Sequence, residues 1–375
     1  MTRSAIATTL LTAVLAGCAG TTGTPREGDP GNAALRAVVV AGDFTAGDPG
    51  VLSTLDVPRR EVRTNAGPAL AIGDDPVLRH VGHELFIVNR ADGNNVTVLD
   101  DQTLALVEQL GTGNGTNPQD VAVVGDRLYV PTYDTAGVTV VNRGTGDTRV
   151  IDLSADDPDG RPNCESVYRV GTDVYVACQL LDENFAPRGL GKVYVIDTAT
   201  DAVRASMTLG HPNPFSLLEQ VPAGAPHAGD LVVGTVLFSD NTGCVELVVP
   251  GVAPSAPGCL VDNAALGGYA SRIGFQVDTT GAAAVFVVPA PFVPDQPLRS
   301  DLRPLALSGT AVAPALNSPG ELVNDAAVCP SGAIVVADTT FGASGLRVFA
   351  AGSEQTTAVL DTGMSPGSTH GLDCF

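Results

Sequence analysis

Asn117 to Ile151 reads NPQDVAVVGDRLYVPTYDTAGVTVVNRGTGDTRVI. Three strand-like runs and the start of a fourth lie in this stretch: Asp120–Val124, Arg127–Thr132, Gly137–Asn142 and Thr148–Ile151. Gly125-Asp126, Asp134 to Ala136 and Gly144 to Asp147 punctuate them. Val, Tyr and Thr fill the runs, as a half-buried pleated sheet requires, and Gly and Asp supply the turns.

Six further segments resemble this one, at spacings of roughly 42 to 58 residues. They are Arg36 to Thr64, Pro76 to Gly111, Asn163 to Gly210, Asn213 to Val261, Ser271 to Leu316 and Glu321 to Leu360, the last with runs at Asp325–Cys329, Ala333–Asp338, Gly345–Ala350 and Thr357–Leu360. A repeat of this length built from about four strands is the mark of a β-propeller blade. The first segment is one strand short. The chain closes with His370-Gly371-Leu372-Asp373-Cys374-Phe375, which matches the start of a blade. Joining the two termini completes a seventh blade, and closing the ring removes exposed sheet edges. The expectation is an all-β, seven-bladed propeller of four-stranded blades. Ser271 to Leu316 is its least regular blade, with Pro289, Pro291, Pro294 and Pro297 in the middle.

Composition agrees. In 375 residues there are 43 Gly and 27 Pro, which suits many turns, and 44% hydrophobic residues, which excludes a disordered chain. The net charge of -21 excludes a nucleic-acid-binding surface. It is read as solubility rather than as a cation-binding face.

Before the repeats lies an address. Arg3, the apolar run Ala5 to Leu15 and Ala16-Gly17-Cys18 form a secretory signal too short to span a bilayer. Its LAGC ending resembles the bacterial lipoprotein lipobox, which implies cleavage before Cys18 and lipid on that residue. Ala19 follows, where an Asp would favour the inner membrane, so an outer-membrane lipoprotein is implied, facing the periplasm or the cell surface. The expected division is residues 1–17 as signal peptide, 18–34 as lipidated Cys and flexible tether, and 35–375 as the propeller.

DRLYVPTYDTAGVTVVNRGTGDTRV and GKVYVIDTATDAVRASMTLG resemble the YVTN-type repeat of YncE-like bacterial extracytoplasmic propellers. That resemblance implies the fold and leaves function open, because propellers host both binding and catalysis.

Besides Cys18 there are six cysteines, an even number that reads as disulfides in an exported protein. The repeat restricts their pairing. Cys164 faces Cys178 across neighbouring runs, Cys244 and Cys259 relate similarly in outer strands, and Cys329 and Cys374 occupy the same place in consecutive blades.

Several blades begin with small polar sets that should line one mouth of the central channel: Asn117 with Asp120, Asn163 with Glu165, Asn213, Asn324 with Asp325, and His370. They either cap turns and hold water or bind calcium or another divalent cation. Gly320 to Phe349, GELVNDAAVCPSGAIVVADTTFGASGLRVF, resembles the regucalcin and gluconolactonase family over that one blade. By that resemblance Asn324 and Asp325 would be metal ligands, with Asn163 and Glu165 as partners, in a lactonase-like hydrolase. The S-x-x-K nucleophile signature is absent from the sequence. His80 and His83 read as an incidental surface pair. The leading reading is a monomeric binding or scaffold module on the membrane, with a protein or small-molecule ligand. The hydrolase is the alternative.

Overall fold

The computed structural model describes residues 36–278, 281–309 and 311–375. Cys18 and the segment before Arg36 lie outside the described residues.

The chain forms seven antiparallel sheets, each a blade. Strands are lettered A to D from the channel outward. Blade 1 spans Pro76 to Gly111, blade 2 Ala122 to Asp152, blade 3 Cys164 to Thr208 and blade 4 Glu219 to Asp262. Blade 5 spans Arg272 to Ala306 and blade 6 Val323 to Glu354. Blade 7 is shared by both ends of the described chain: Leu372–Cys374 is its A strand, followed outward by Arg36–Ala41, Val51–Asp56 and Glu61–Arg63. Ala37 pairs with Cys374 and Val39 with Leu372, which closes the ring as the terminal sequences suggest.

Burial explains the composition of the runs. The B and C strands are packed on both faces, so Glu84–Asn89 (ELFIVN) and Gly137–Asn142 (GVTVVN) are nearly continuous apolar runs with every central residue buried. The D strands form the outer rim and alternate or lie exposed, as in Ala202–Thr208. The apolar residues gather into seven clusters, and each cluster joins two neighbouring blades. Phe86 and Val88 of blade 1, for example, pack with Leu128 and Val130 of blade 2. Val38 and Val40 of blade 7 pack with Leu78 and Ile87 of blade 1, so the core continues across the closure. The tight A–B turns at Gly82, Gly125 and Gly171 have φ of 66°, 58° and 61°, a left-handed conformation natural to glycine.

The seven-bladed fold is as expected, and two outer strands differ in detail. Among the described residues blade 5 has three strands, with a bridge between Leu305 and Val312 in the fourth place. Pro314 follows two residues later and has no N–H with which to extend the ladder. In blade 6 the outer strand is Ser353–Glu354, with Leu360 contributing one further bridge to Leu346, rather than a strand over Thr357–Leu360.

The three disulfides join the expected partners: Cys164 to Cys178, Cys244 to Cys259, and Cys329 to Cys374. Among the described residues no helix is long and apolar enough to cross a membrane. The strand directions give the ring two faces. The entry face carries the starts of the A strands, the D–A links and the B–C loops. The opposite face carries the A–B and C–D turns.

Candidate functional site

The polar sets do stand at the entry mouth, and most are held by their own blades. Asn117, Asn163, Asn213 and His370 have φ of 48°, 49°, 52° and 60°. Asparagine tolerates this left-handed region better than most residues, which explains its recurrence at blade entries. The backbone carbonyls of the three asparagines accept from Tyr133, Gln179 and Val236, tying each A strand to its B strand. Their side chains are also engaged. Asn117 Oδ1 accepts from the Ala91 N–H at 2.9 Å, Asn163 Oδ1 from the Leu181 N–H at 3.0 Å, and Asn213 Nδ2 donates to the Val236 carbonyl at 3.1 Å.

One level down, a belt of charges crosses the channel. Arg79 donates to both oxygens of Asp120 at 2.7 and 2.9 Å and to Glu219 at 2.8 Å. Asp120, fully buried, also accepts from Ser166 Oγ and the Val167 N–H. It therefore links blades 1 and 3, and Arg79 extends the link to blade 4. Arg272 lies 3.7 Å from Glu219 and 3.4 Å from Asp325. Burial lowers the Arg79 pKa, but Asp120 and Glu219 outweigh it and leave the guanidinium firmly charged. His370, 3% exposed, is held well below the usual histidine range by burial and by Arg272, Arg79 and Arg90. Its ring is neutral, and Nδ1 lies 3.4 Å from Arg272 Nη1.

Glu165 breaks the pattern. It occupies the bulge between Cys164 and Ser166 and is 8% exposed, and its carboxylate has no hydrogen-bond partner among the described residues. Burial pushes its pKa up to about 7, which Arg90 opposes and Asp120 and Asp75 reinforce. Arg90 itself pairs with Asp75 at 2.6 Å, and its Nε is a buried donor without a partner. Tyr133, whose pKa is raised by burial and by Glu165, donates to Gln179 at 2.9 Å.

Because the folded pKa of Glu165 exceeds the unfolded value near 4.5, the folded protein binds the extra proton between about pH 4.5 and 7. Stability should therefore fall as pH rises through that window. Glu165→Gln should flatten the fall and gain up to about 3 kcal/mol at pH 8, read by urea unfolding across the pH range.

The four residues expected around a metal are distributed as follows. Asn163 and Glu165 flank Cys164. Asn324 Nδ2 donates to the Gly367 carbonyl at 2.9 Å. Asp325, fully buried, accepts from the Leu372 and Ala326 N–H groups at 2.9 and 2.8 Å, and burial raises its pKa to about 6 against the pull of Arg272. The charged neighbours of Glu165 are Arg90, Asp120 and Asp75, whereas those of Asp325 are Arg272 and Asp373, so the two carboxyls have separate surroundings. Among the described residues, His211, Cys244 and Cys259 bring their ligand atoms within 4.8 Å of one another, but the two sulfurs form a disulfide.

Below the belt, toward the A–B turns, a cavity of about 480 Å³ is lined by Arg79, His80, Tyr168, Arg169, Glu219 and Arg272, among others. His80 is thus no surface residue. It lies on an A strand, bonds Asp101 at 3.0 Å and stacks on Phe375 at 3.9 Å.

The sequence reading missed Arg79, Arg90, Glu219 and Arg272. A usable signal existed for two of them: an arginine inside the first run of a blade, as in LRHV and SRIGF, points into the channel.

No family model matches the chain, and no curated protein matches it in sequence. Solved structures do resemble it. A functionally unknown protein from Desulfotomaculum acetoxidans is 11% identical with a TM-score of 0.57, over 89% of this chain and 97% of that one. The β-propeller domain of Cps50 (Swd1) from Myceliophteria thermophila is 11% identical with a TM-score of 0.55, over 80% and 93%. The dihydro-heme d1 dehydrogenase NirN, solved with DHE, is 16% identical with a TM-score of 0.51, over 88% and 74%. At such identities the likeness establishes the propeller fold alone.

Proposed function

We propose that this is an extracytoplasmic lipoprotein of the YVTN-repeat type, anchored at the outer membrane through Cys18, whose propeller is a binding or scaffold module. One observation carries the binding reading. Every exposed phenylalanine among the described residues lies on the entry face, in a B–C loop: Phe44, Phe185, Phe238, Phe292 and Phe341, 54% to 102% exposed. Large rings left in water on one face, in five different blades, mark an interaction surface. Arg36, where the described chain joins the preceding segment, lies on the opposite face and bonds the carbonyls of Asp101 and Gln102 in a C–D turn. A tether leaving there would present the phenylalanine face away from the membrane.

This reading is preferred to the lactonase-like hydrolase because Asn324 and Asp325 already have partners within the protein. Metabolic labelling with palmitate tests the anchor: the wild-type chain should carry label, and Cys18→Ser should carry none. An unlabelled wild-type chain would remove the lipoprotein reading. The face is tested by Phe292→Ser with Phe341→Ser. This pair should change stability by no more than about 0.5 kcal/mol each, as exposed sites do, while abolishing cross-links formed from that face in cells. Cross-links that persist at the wild-type level would contradict it.

A further inference from the structure

The entry face is acidic as well as apolar. Six of the seven B–C loops carry an exposed carboxylate: Asp43, Asp92, Asp134, Glu183, Asp240 and Asp295. In four of them the carboxylate stands within three residues of the exposed phenylalanine, as Asp43 beside Phe44 and Asp240 beside Phe238. At the mouth around which these loops stand, Glu165 is buried and has no hydrogen-bond partner among the described residues. On the same face, Phe215, the blade 4 loop residue Phe238 and Tyr269, in the link to blade 5, meet nearly at right angles, with ring centroids 5.2 to 5.7 Å apart. Aromatic faces and a carboxylate are the two surfaces that attract a lysine or arginine head.

Two of the phenylalanines are also strained. Phe44 and Phe185 have φ of 61° and 59°, left-handed values that a bulky side chain adopts only at a cost. Both rings are more than half exposed, so packing within the protein does not offset that cost.

We infer that the entry face docks a cationic polypeptide segment with apolar anchors, seated across the B–C loops of blades 3 to 7. This rests on the binding reading above and adds the class of partner. The rings belong to five successive blades, an arc wider than a small ligand can span. A bilayer rich in anionic lipid would be repelled by the carboxylates, whereas a basic, apolar segment satisfies both the charges and the rings.

The probes are a Lys/Leu amphipathic peptide, its Glu/Leu counterpart, a Lys/Ser peptide, and vesicles of phosphatidylglycerol or phosphatidylcholine, each titrated against the full chain. Lys/Leu should bind at least about tenfold tighter than the other two peptides, and tighter than either vesicle. Its affinity should fall about tenfold in the Phe238→Ser, Phe292→Ser, Phe341→Ser triple variant. It should fall several-fold with added salt, and again in Glu183→Gln with Asp240→Asn and Asp295→Asn. Asp126→Asn with Asp147→Asn, on the opposite face, should leave it unchanged. These sites are exposed, and unchanged unfolding midpoints show that the variants remain folded.

Phenylalanine-dependent binding of the Glu/Leu peptide at equal strength would overturn the cationic partner and leave the binding face standing. Stronger binding to vesicles would overturn it in favour of a membrane. No Lys/Leu binding, or binding indifferent to the phenylalanines, would overturn the inference outright, and the binding reading would then be judged by cross-linking in cells.

Discussion

Asp120→Ala is expected to destabilise the propeller by about 3–5 kcal/mol, a large part of the 5–15 kcal/mol typical of a folded protein. Asp120 is fully buried and accepts both bonds of the Arg79 fork, one from Ser166 Oγ and those of the Val167 and Val121 N–H groups. Removing it leaves a buried guanidinium with Glu219, which Arg272 already shares, as its one carboxylate among the described residues, beside the Leu218 carbonyl at 3.4 Å. The uncompensated charge and the unsatisfied donors, rather than a lost attraction, set the cost. Arg79→Met together with Asp120→Ala should therefore cost less than the sum of the single changes. Urea unfolding reads both. A loss under about 1 kcal/mol for Asp120→Ala would show that the belt is not a structural strut.

Opening the disulfide at the ring closure should cost about as much. Cys329 and Cys374 are 45 residues apart in sequence and join blade 6 to the A strand of blade 7. A loop of that size restricts the unfolded chain by about 4 kcal/mol. The Cys164–Cys178 bridge closes 14 residues between paired strands, worth about 3 kcal/mol. The closing A strand has only three residue pairs with its neighbour, so it depends on the bridge more than any long strand would. Cys329→Ser with Cys374→Ser should lower the unfolding midpoint further than Cys164→Ser with Cys178→Ser. It should also expose the Arg36–Ala41 strand to protease first. The reverse order would contradict this account of ring closure.

The fold was legible because B and C strands buried on both faces leave uninterrupted β-branched runs, and glycine turns separate them. Outer strands were harder to place. Half exposed, they lack the pattern that fixes register, which is why Ser353–Glu354 was missed and Thr357–Leu360 expected instead. The blade entries were legible through the repeated Asn, a residue that fits left-handed backbone. The belt was not. An arginine in the first run of a blade marks a channel position, but which carboxylates it meets is set by the tertiary pairing of distant segments, as of Arg79 with Asp120. Glu165 was picked out by its position, but that its carboxylate has no hydrogen-bond partner among the described residues depends on its place in the bulge between Cys164 and Ser166 and is not legible in the sequence. The phenylalanine loops were invisible for a different reason. A single Phe among Gly, Pro and Asp has no period, and its significance appears only when five such loops emerge on one face.

Site-specific photo-cross-linking in cells tests the central claim most directly. A photoreactive phenylalanine analogue would replace Phe341 on the entry face, and in a second strain Thr145 in a C–D turn on the other. The account predicts a discrete cross-linked species from position 341 and none from position 145. Cross-links from 145 with none from 341 would place the working surface on the face where Arg36 begins the described chain and contradict it.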